Sequence, residues 1–247
     1  MDYLDTVLAI YVDRPNRFVA QVRLNHQIIV AHVKNTGRTN ILIAGRTVAL
    51  VPATNNKRKT CFDLIAVRTE KGWINIDSQA PNIVVKEGLQ NNSIALPGIN
   101  QVIRVHPEMQ YQDVRFDFFG EGDQQQLFFL EVKGVTLSQQ NVAAFPDSPS
   151  QRGEKHVRKL ISAKQDGYHA FLLFLIQVPD IQIVTINRAI QPTLAETIKI
   201  AQNAGVHVLA YGTHVKPGRM TLGQPIPFNL AQPFNFALAL VEAATQK

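Results

Sequence analysis

The chemistry in this chain is most visible at Asp117 and, further on, at Glu131-Val132-Lys133. Asp117 lies in Arg115–Phe119 and Glu131 in Leu127–Val135, two segments rich in Phe, Leu and Val. Strand side chains alternate between faces, so Glu131 and Lys133 project to the same side. A hairpin closing through residues 120–126 would set Asp117 opposite roughly position 130 and make the two carboxylates neighbours. Charges inside apolar strands are rare unless paired or bound to a metal. Two adjacent carboxylates repel, and a divalent cation such as Mg²⁺ or Mn²⁺ removes the repulsion. Such an ion can polarise a phosphoryl oxygen and acidify a bound water. Lys133 could orient that water or stabilise charge developing on the phosphate. Asp117, Glu131 and Lys133 are therefore the candidate catalytic residues.

The elements that must position these residues fall into two regions. Residues 1–77 read as short strands. Arg17–Leu24 alternates, with Phe18, Ala20, Val22 and Leu24 on one face, and Gln27–Val33 follows a turn at Asn25-His26. Thr47–Val51, Asp63–Arg68 and Trp73–Ile76 follow, the last two flanking Glu70-Lys71-Gly72. Several strands without helical periodicity predict a small OB-like barrel over 1–80. Beyond it, helices are expected at Pro81–Leu96, Ser148–Asp166 and Pro192–Asn203, with strands at Arg115–Phe119, Leu127–Val135, Ala170–Val178 and Val206–Tyr211. That alternation predicts an α/β domain over 81–247, giving a mixed α+β chain overall. Phe116 and Phe118 are expected to share the face opposite Asp117.

Composition narrows the partner. The net charge is +6, and residues 1–85 carry 11 Lys and Arg against 6 Asp and Glu, while the remainder is nearly balanced. A basic first third suits a polyanion, because neutralising phosphates releases counterions. The single cysteine, Cys61, excludes an internal disulfide and is simplest in a reducing cytoplasm. Asp2 and Asp5 stand where a secretory signal would carry bases. The most apolar run, Ala170–Val178, is too short to cross a bilayer, so no membrane association is expected. The chain has no Gly-rich nucleotide loop, Gly-x-Ser-x-Gly elbow or Cys-x-x-Cys pair.

Asp followed by Glu-x-Lys on adjacent strands is the sparse signature of the PD-(D/E)XK nuclease-like fold. The chain also resembles the sugar fermentation stimulation protein A family. The resemblance is carried by Arg17-Phe18-Val19-Ala20, Lys34-Asn35-Thr36-Gly37, Asn56-Lys57-Arg58-Lys59, Arg115-Phe116-Asp117-Phe118, the run from Glu131 to Leu137, Phe145-Pro146-Asp147 and Arg152-Gly153-Glu154-Lys155-His156. It implies an amino-terminal OB-like domain, a carboxy-terminal nuclease-like domain, DNA binding without strong sequence preference and a regulatory link to sugar utilisation. Asp117, Glu131 and Lys133 match the nuclease-like core, and Glu108 matches an upstream acid that would be a further metal ligand.

The nucleic-acid contacts expected are Arg17, Lys34, Asn35, Arg38, Lys57, Arg58, Lys59, Arg115, Arg152, Lys155 and His156. Arg152 and His156 are four apart on a helix, with Lys155 and Lys159 in a neighbouring stripe. Phe18 and Trp73 could stack bases or belong to the core. Three functions stay open at this point. One is a metal-dependent phosphodiesterase on DNA or RNA. The others are a DNA-binding regulator whose site does not cut, and an adaptor that binds another protein.

Overall fold

The structure is a computed structural model that describes residues 1–35, 41–54, 58 and 60–245. The first half folds from β1 (Val7–Asn16), β2 (Val19–Leu24), β3 (Gln27–Val33), β4 (Thr47–Pro52), β5 (Phe62–Thr69) and β6 (Gly72–Asn75). Alternation in β2 buries Ala20 and Val22 as expected, but the strand starts at Val19 and leaves Phe18 45% exposed before it. Asn25 and His26 both adopt positive φ (48° and 65°), as a tight hairpin turn between β2 and β3 requires. β1 pairs with β2 and β4, β4 with β5, and β5 returns to β3 through Ala31↔Phe62, His32↔Asp63 and Val33↔Leu64. That parallel contact closes a five-stranded OB barrel and leaves β6 as a hairpin partner of β5.

The second half begins with α1 (Ala80–Gln90), which has Pro81 in its first turn. The helix ends at Gln90, short of the expected Leu96. Asn92 adopts φ 57°, and its side-chain oxygen accepts from the Val102 amide at 2.6 Å, diverting the chain into the next strand. An antiparallel meander of β7 (Val102–Tyr111), β8 (Val114–Gly122) and β9 (Leu127–Val135) follows, then the short β10 (Ser138–Gln139) and β11 (Val142–Phe145). Next come α2 (Gln151–Gln165), β12 (His169–Ile176), β13 (Ile183–Ile186), α3 (Pro192–Asn203), β14 (His207–Lys216), β15 (Arg219–Pro225) and α4 (Phe236–Thr245). The main sheet runs β15-β14-β12-β9-β8-β7, with β9, β12 and β14 parallel and the rest antiparallel. The result is the expected α/β domain behind an OB barrel.

Each face of this sheet has its own core. Val84, Val85 and Leu89 of α1 pack with Phe118, Phe128 and Leu130 on one side. Val157 and Leu160 of α2, with Leu194 and Ile198 of α3, pack with Phe129, Leu172 and Phe174 on the other. The strands β10, β11 and β13 form a small separate sheet, against which α4 rests through Ala239, Leu137 and Ala144. Among the described residues no helix is long and apolar enough to cross a membrane.

Phe116 and Phe118 do not share a face. Phe116 packs beside Tyr111 and Phe129 on the α2 side, whereas Phe118 belongs to the α1 side. The alternation slips by one residue at Asp117, which lies where regular pairing between β8 and β9 stops at Phe118↔Leu130.

The barrel and the sheet meet through buried polar groups. The Gln177 amide donates to the Asn75 backbone and side-chain oxygens, both at 3.1 Å. Within the barrel half, Lys34 at the end of β3 lies 3.3 Å from both Asp63 and Asp77 and so holds the segment leading into α1.

Candidate metal and nucleic-acid site

Asp117 lies one residue past the last regular β8–β9 pair, Phe118↔Leu130, and meets β9 through its side chain beside Glu131. The Asp117 carboxylate accepts from the Val132 main-chain amide at 2.7 Å and from the Asn82 side chain of α1 at 2.8 Å. The side chain thus stands in for the missing ladder bond and also anchors the first turn of α1. Glu131 is 2% exposed. Its Oε1 accepts from Lys133 Nζ and is paired with His156 Nδ1 of α2. Its Oε2 is buried and has no partner among the described residues.

The two acids differ electrostatically. Burial and then the Glu131 charge push the Asp117 carboxyl above the usual range, and the bonds from Val132 and Asn82 only partly offset this. Burial also pushes Glu131 upward, but the His156 hydrogen bond and the Lys133 charge outweigh it and hold the group below its ordinary value. Both acids line a cleft of about 310 Å³, together with Lys133, Arg152, Asn35 and Ser78. The cleft therefore has walls from both the barrel and the sheet.

This donor set fits a hard divalent cation. An orphaned buried carboxylate oxygen with a second carboxylate in the same cleft leaves an acceptor that a further cation could satisfy. Among the described residues no three His, Cys, Asp or Glu side chains gather into a full ligand cage. One or two carboxylates, with water and substrate oxygens completing the shell, is a usual arrangement for small hard cations.

The other expected residues scatter. Arg152 and Asn35 line the cleft. Arg152 has no hydrogen bond or ion pair among the described residues. Lys34 is held by Asp63 and Asp77, and Arg58 by Asp63 at 2.6 Å, so both neutralise buried acids. Arg17 lies over the Phe18 ring at 4.8 Å on the β1–β2 turn. Arg14 of β1 donates to the Arg17 carbonyl of this turn and to the Asn35 carbonyl, both at 2.6 Å, and so ties the turn to the cleft wall. Arg115 and Glu108 pair with each other at 3.5 Å on the exposed β7–β8 surface, and Glu108 does not line the cleft. Lys155 pairs with Asp113 at 2.9 Å. His156 is not on the exposed helix face expected for a nucleic-acid contact. It is 4% exposed, because the stripe that includes Val157 and Leu160 turns it inward onto Glu131. Arg38, Lys57 and Lys59 lie outside the described residues. Asn82 and the acids Asp77 and Asp147 also line the cleft. Asp147 belongs to the Phe145-Pro146-Asp147 segment that carried the resemblance, whereas nothing local marked Asn82 or Asp77, whose partners Asp117 and Lys34 come from distant segments.

The fold and the site define a two-domain protein in which an OB barrel precedes an α/β domain carrying paired acids and a lysine. Residues 12–76 match the family described as the SfsA N-terminal OB domain, and residues 79–219 match the sugar fermentation stimulation protein RE domain. The chain belongs to the sugar fermentation stimulation protein family. It is 44% identical over 236 residues to a sugar fermentation stimulation protein homolog of Lacticaseibacillus casei (strain BL23), covering 95% of this chain and 97% of that one. It is 42% identical over 237 residues to a homolog of Enterococcus mundtii, covering 95% and 98%. The solved structure of Pyrococcus furiosus SfsA in complex with Ca²⁺ matches with a TM-score of 0.82 at 27% identity, covering 93% of this chain and 98% of that one.

Proposed function

We propose that this chain binds nucleic acid and hydrolyses phosphodiester bonds at a divalent-metal site built on Asp117 and Glu131. The observation that carries the proposal is the buried Glu131 Oε2, without a partner among the described residues, on a residue that lines a cleft with Asp117. The Ca²⁺ complex of the Pyrococcus furiosus relative supports it, since Ca²⁺ also prefers oxygen ligands.

In this reading Asp117 and Glu131 hold Mg²⁺ or Mn²⁺. The bound ion supplies polarisation of a phosphoryl oxygen and a more acidic water. Lys133 is placed beside Glu131 to orient the attacking water or to stabilise charge on the phosphate. Arg152 holds a phosphate at the cleft mouth. The barrel contributes Arg17 and Asn35 to the backbone path of the substrate, which is DNA or RNA recognised without strong sequence preference.

The test is incubation of the full chain with Mn²⁺ and end-labelled DNA and RNA, single- and double-stranded. Cleavage by the wild type, absent in Asp117→Asn, supports the proposal. Salt-sensitive binding without cleavage of any substrate overturns the hydrolase and leaves a non-catalytic DNA-binding regulator.

A further inference from the structure

We propose that His156 is a positioning residue for the metal-binding carboxylate, holding Glu131 by Oε1 so that Oε2 stays directed to a divalent cation. The inference rests on the metal-site reading above and concerns a residue that touches neither substrate nor ion.

The geometry is specific. His156 Nδ1 and Lys133 Nζ both engage Glu131 Oε1, while Oε2 engages nothing among the described residues. A buried ion pair serving stability alone would be expected to satisfy both carboxylate oxygens, because an orphaned one is costly. Two donors crowded onto one oxygen leave the other free for a different ligand. The imidazole is itself fixed, lying edge-on to Phe116 at 6.1 Å and 80°.

The helix behind His156 is also anchored. Ser150 Oγ accepts from the Gly153 amide at 3.1 Å and caps α2. Glu154, two residues before His156, accepts from Thr193 at 2.7 Å and Gln191 at 3.1 Å, tying α2 to the start of α3. Rotation of α2 would break the Glu154 bonds to the start of α3. His156 thus transmits the position of a locked helix to the carboxylate on β9. A partner that orients a metal-bound carboxylate typically changes metal affinity by about 10–100-fold when removed.

The test measures Mn²⁺ binding to the full chain by the electron paramagnetic resonance signal of free Mn²⁺. His156→Leu removes the donor at similar volume and is expected to weaken binding about 10–100-fold. His156→Asn places an amide nitrogen near the former Nδ1 and is expected to restore affinity to within a few fold. Equal affinity in wild type and His156→Leu overturns the positioning role while leaving the metal site standing, as does failure of Asn to rescue. Absence of Mn²⁺ binding by the wild type overturns both. A second measurement needs no variant. Mg²⁺ added to wild type is expected to shift the ¹⁵N resonance of His156 Nδ1, and an unmoved resonance under saturating Mg²⁺ overturns the inference.

Discussion

Asp117 accepts a hydrogen bond at 2.7 Å from the main-chain amide of Val132, the residue between Glu131 and Lys133. This contact fixes β8 against β9 at the point where their regular pairing has stopped. It also sets the spacing of the two acids independently of any ligand. A cation would enter a pair already in place, so little reorganisation is required.

Replacing Asp117 by Asn tests that arrangement without a nucleic-acid substrate. Burial and Glu131 make the Asp117 charge unfavourable in the metal-free fold. In EDTA at pH 7 relief of that charge is set against the loss of one of the two bonds accepted from Val132 and Asn82, so the variant is expected to melt within about 5 °C of the wild type. With Mn²⁺ at a hundred times its Kd, the wild type should gain about 2.7 kcal/mol and the variant far less. Differential scanning calorimetry with and without Mn²⁺ measures both, and an equal gain in the two proteins would remove Asp117 from the site.

The link between α2 and α3 should make stability depend on acid pH. Arg158 and Thr193 hold the Glu154 carboxyl at about 2. Its folded value lies below its ordinary one of 4.5, so its contribution is complete above that range and disappears as pH falls toward 2. Glu154→Gln is expected to lower the Tm by about 2–4 °C at pH 7. The gap should close between roughly pH 4.5 and pH 2, and a gap constant across that window would contradict the assignment.

Gly134 follows the candidate lysine and leaves no room for a side chain. A Cβ there would stand 2.8 Å from Pro81 Cγ and 2.6 Å from Gln177 Oε1. Neither neighbour yields easily, since the proline ring opens α1 and Gln177 is held by Asn75. Gly134→Ala is expected to cost about 1–3 kcal/mol in urea unfolding. By displacing Asn82 from Asp117 it should also weaken Mn²⁺ binding, and unchanged stability would show that the strand–helix contact is loose.

Among the described residues that line the cleft, Arg152 is the exposed cation. If it holds a phosphate, Arg152→Ala should weaken binding about equally across sequences and reduce the slope of log K against log salt by about 1. Arg58→Ala should act differently, because Arg58 neutralises the buried Asp63. Its expected effect is a lower Tm with little change in slope. Fluorescence anisotropy over a salt series separates the two, and identical slopes for wild type and Arg152→Ala would remove the phosphate contact.

Much of the fold was legible because the segments concerned carry their own pattern. β3, β9 and α3 have the bounds expected from Asn25-His26, from the apolar run beginning at Leu127, and from Pro192 with Gly205. β7 gave no such signal. It is an edge strand with Pro107 inside it and polar residues on both faces, and β8 supplies its pairing. α1 looked longer than it is because Asn92 ends it through a side-chain bond to Val102, ten residues away. At the site, Asp117, Glu131 and Lys133 stood out as charges in apolar strands. The inward turn of His156 did not, since the helix rotation that buries it is set by packing against β9 and β12. The same holds for Asn82, whose partner is thirty-five residues along the chain.

Asn75 and Gln177 knit the amino-terminal and carboxy-terminal halves by bonds that neither half could satisfy alone. Separating the halves would leave the buried Gln177 amide without Asn75 and strip one wall from the cleft that contains Glu131. The cleft is therefore a joint product of both halves, and a cut between them is expected to dismantle it.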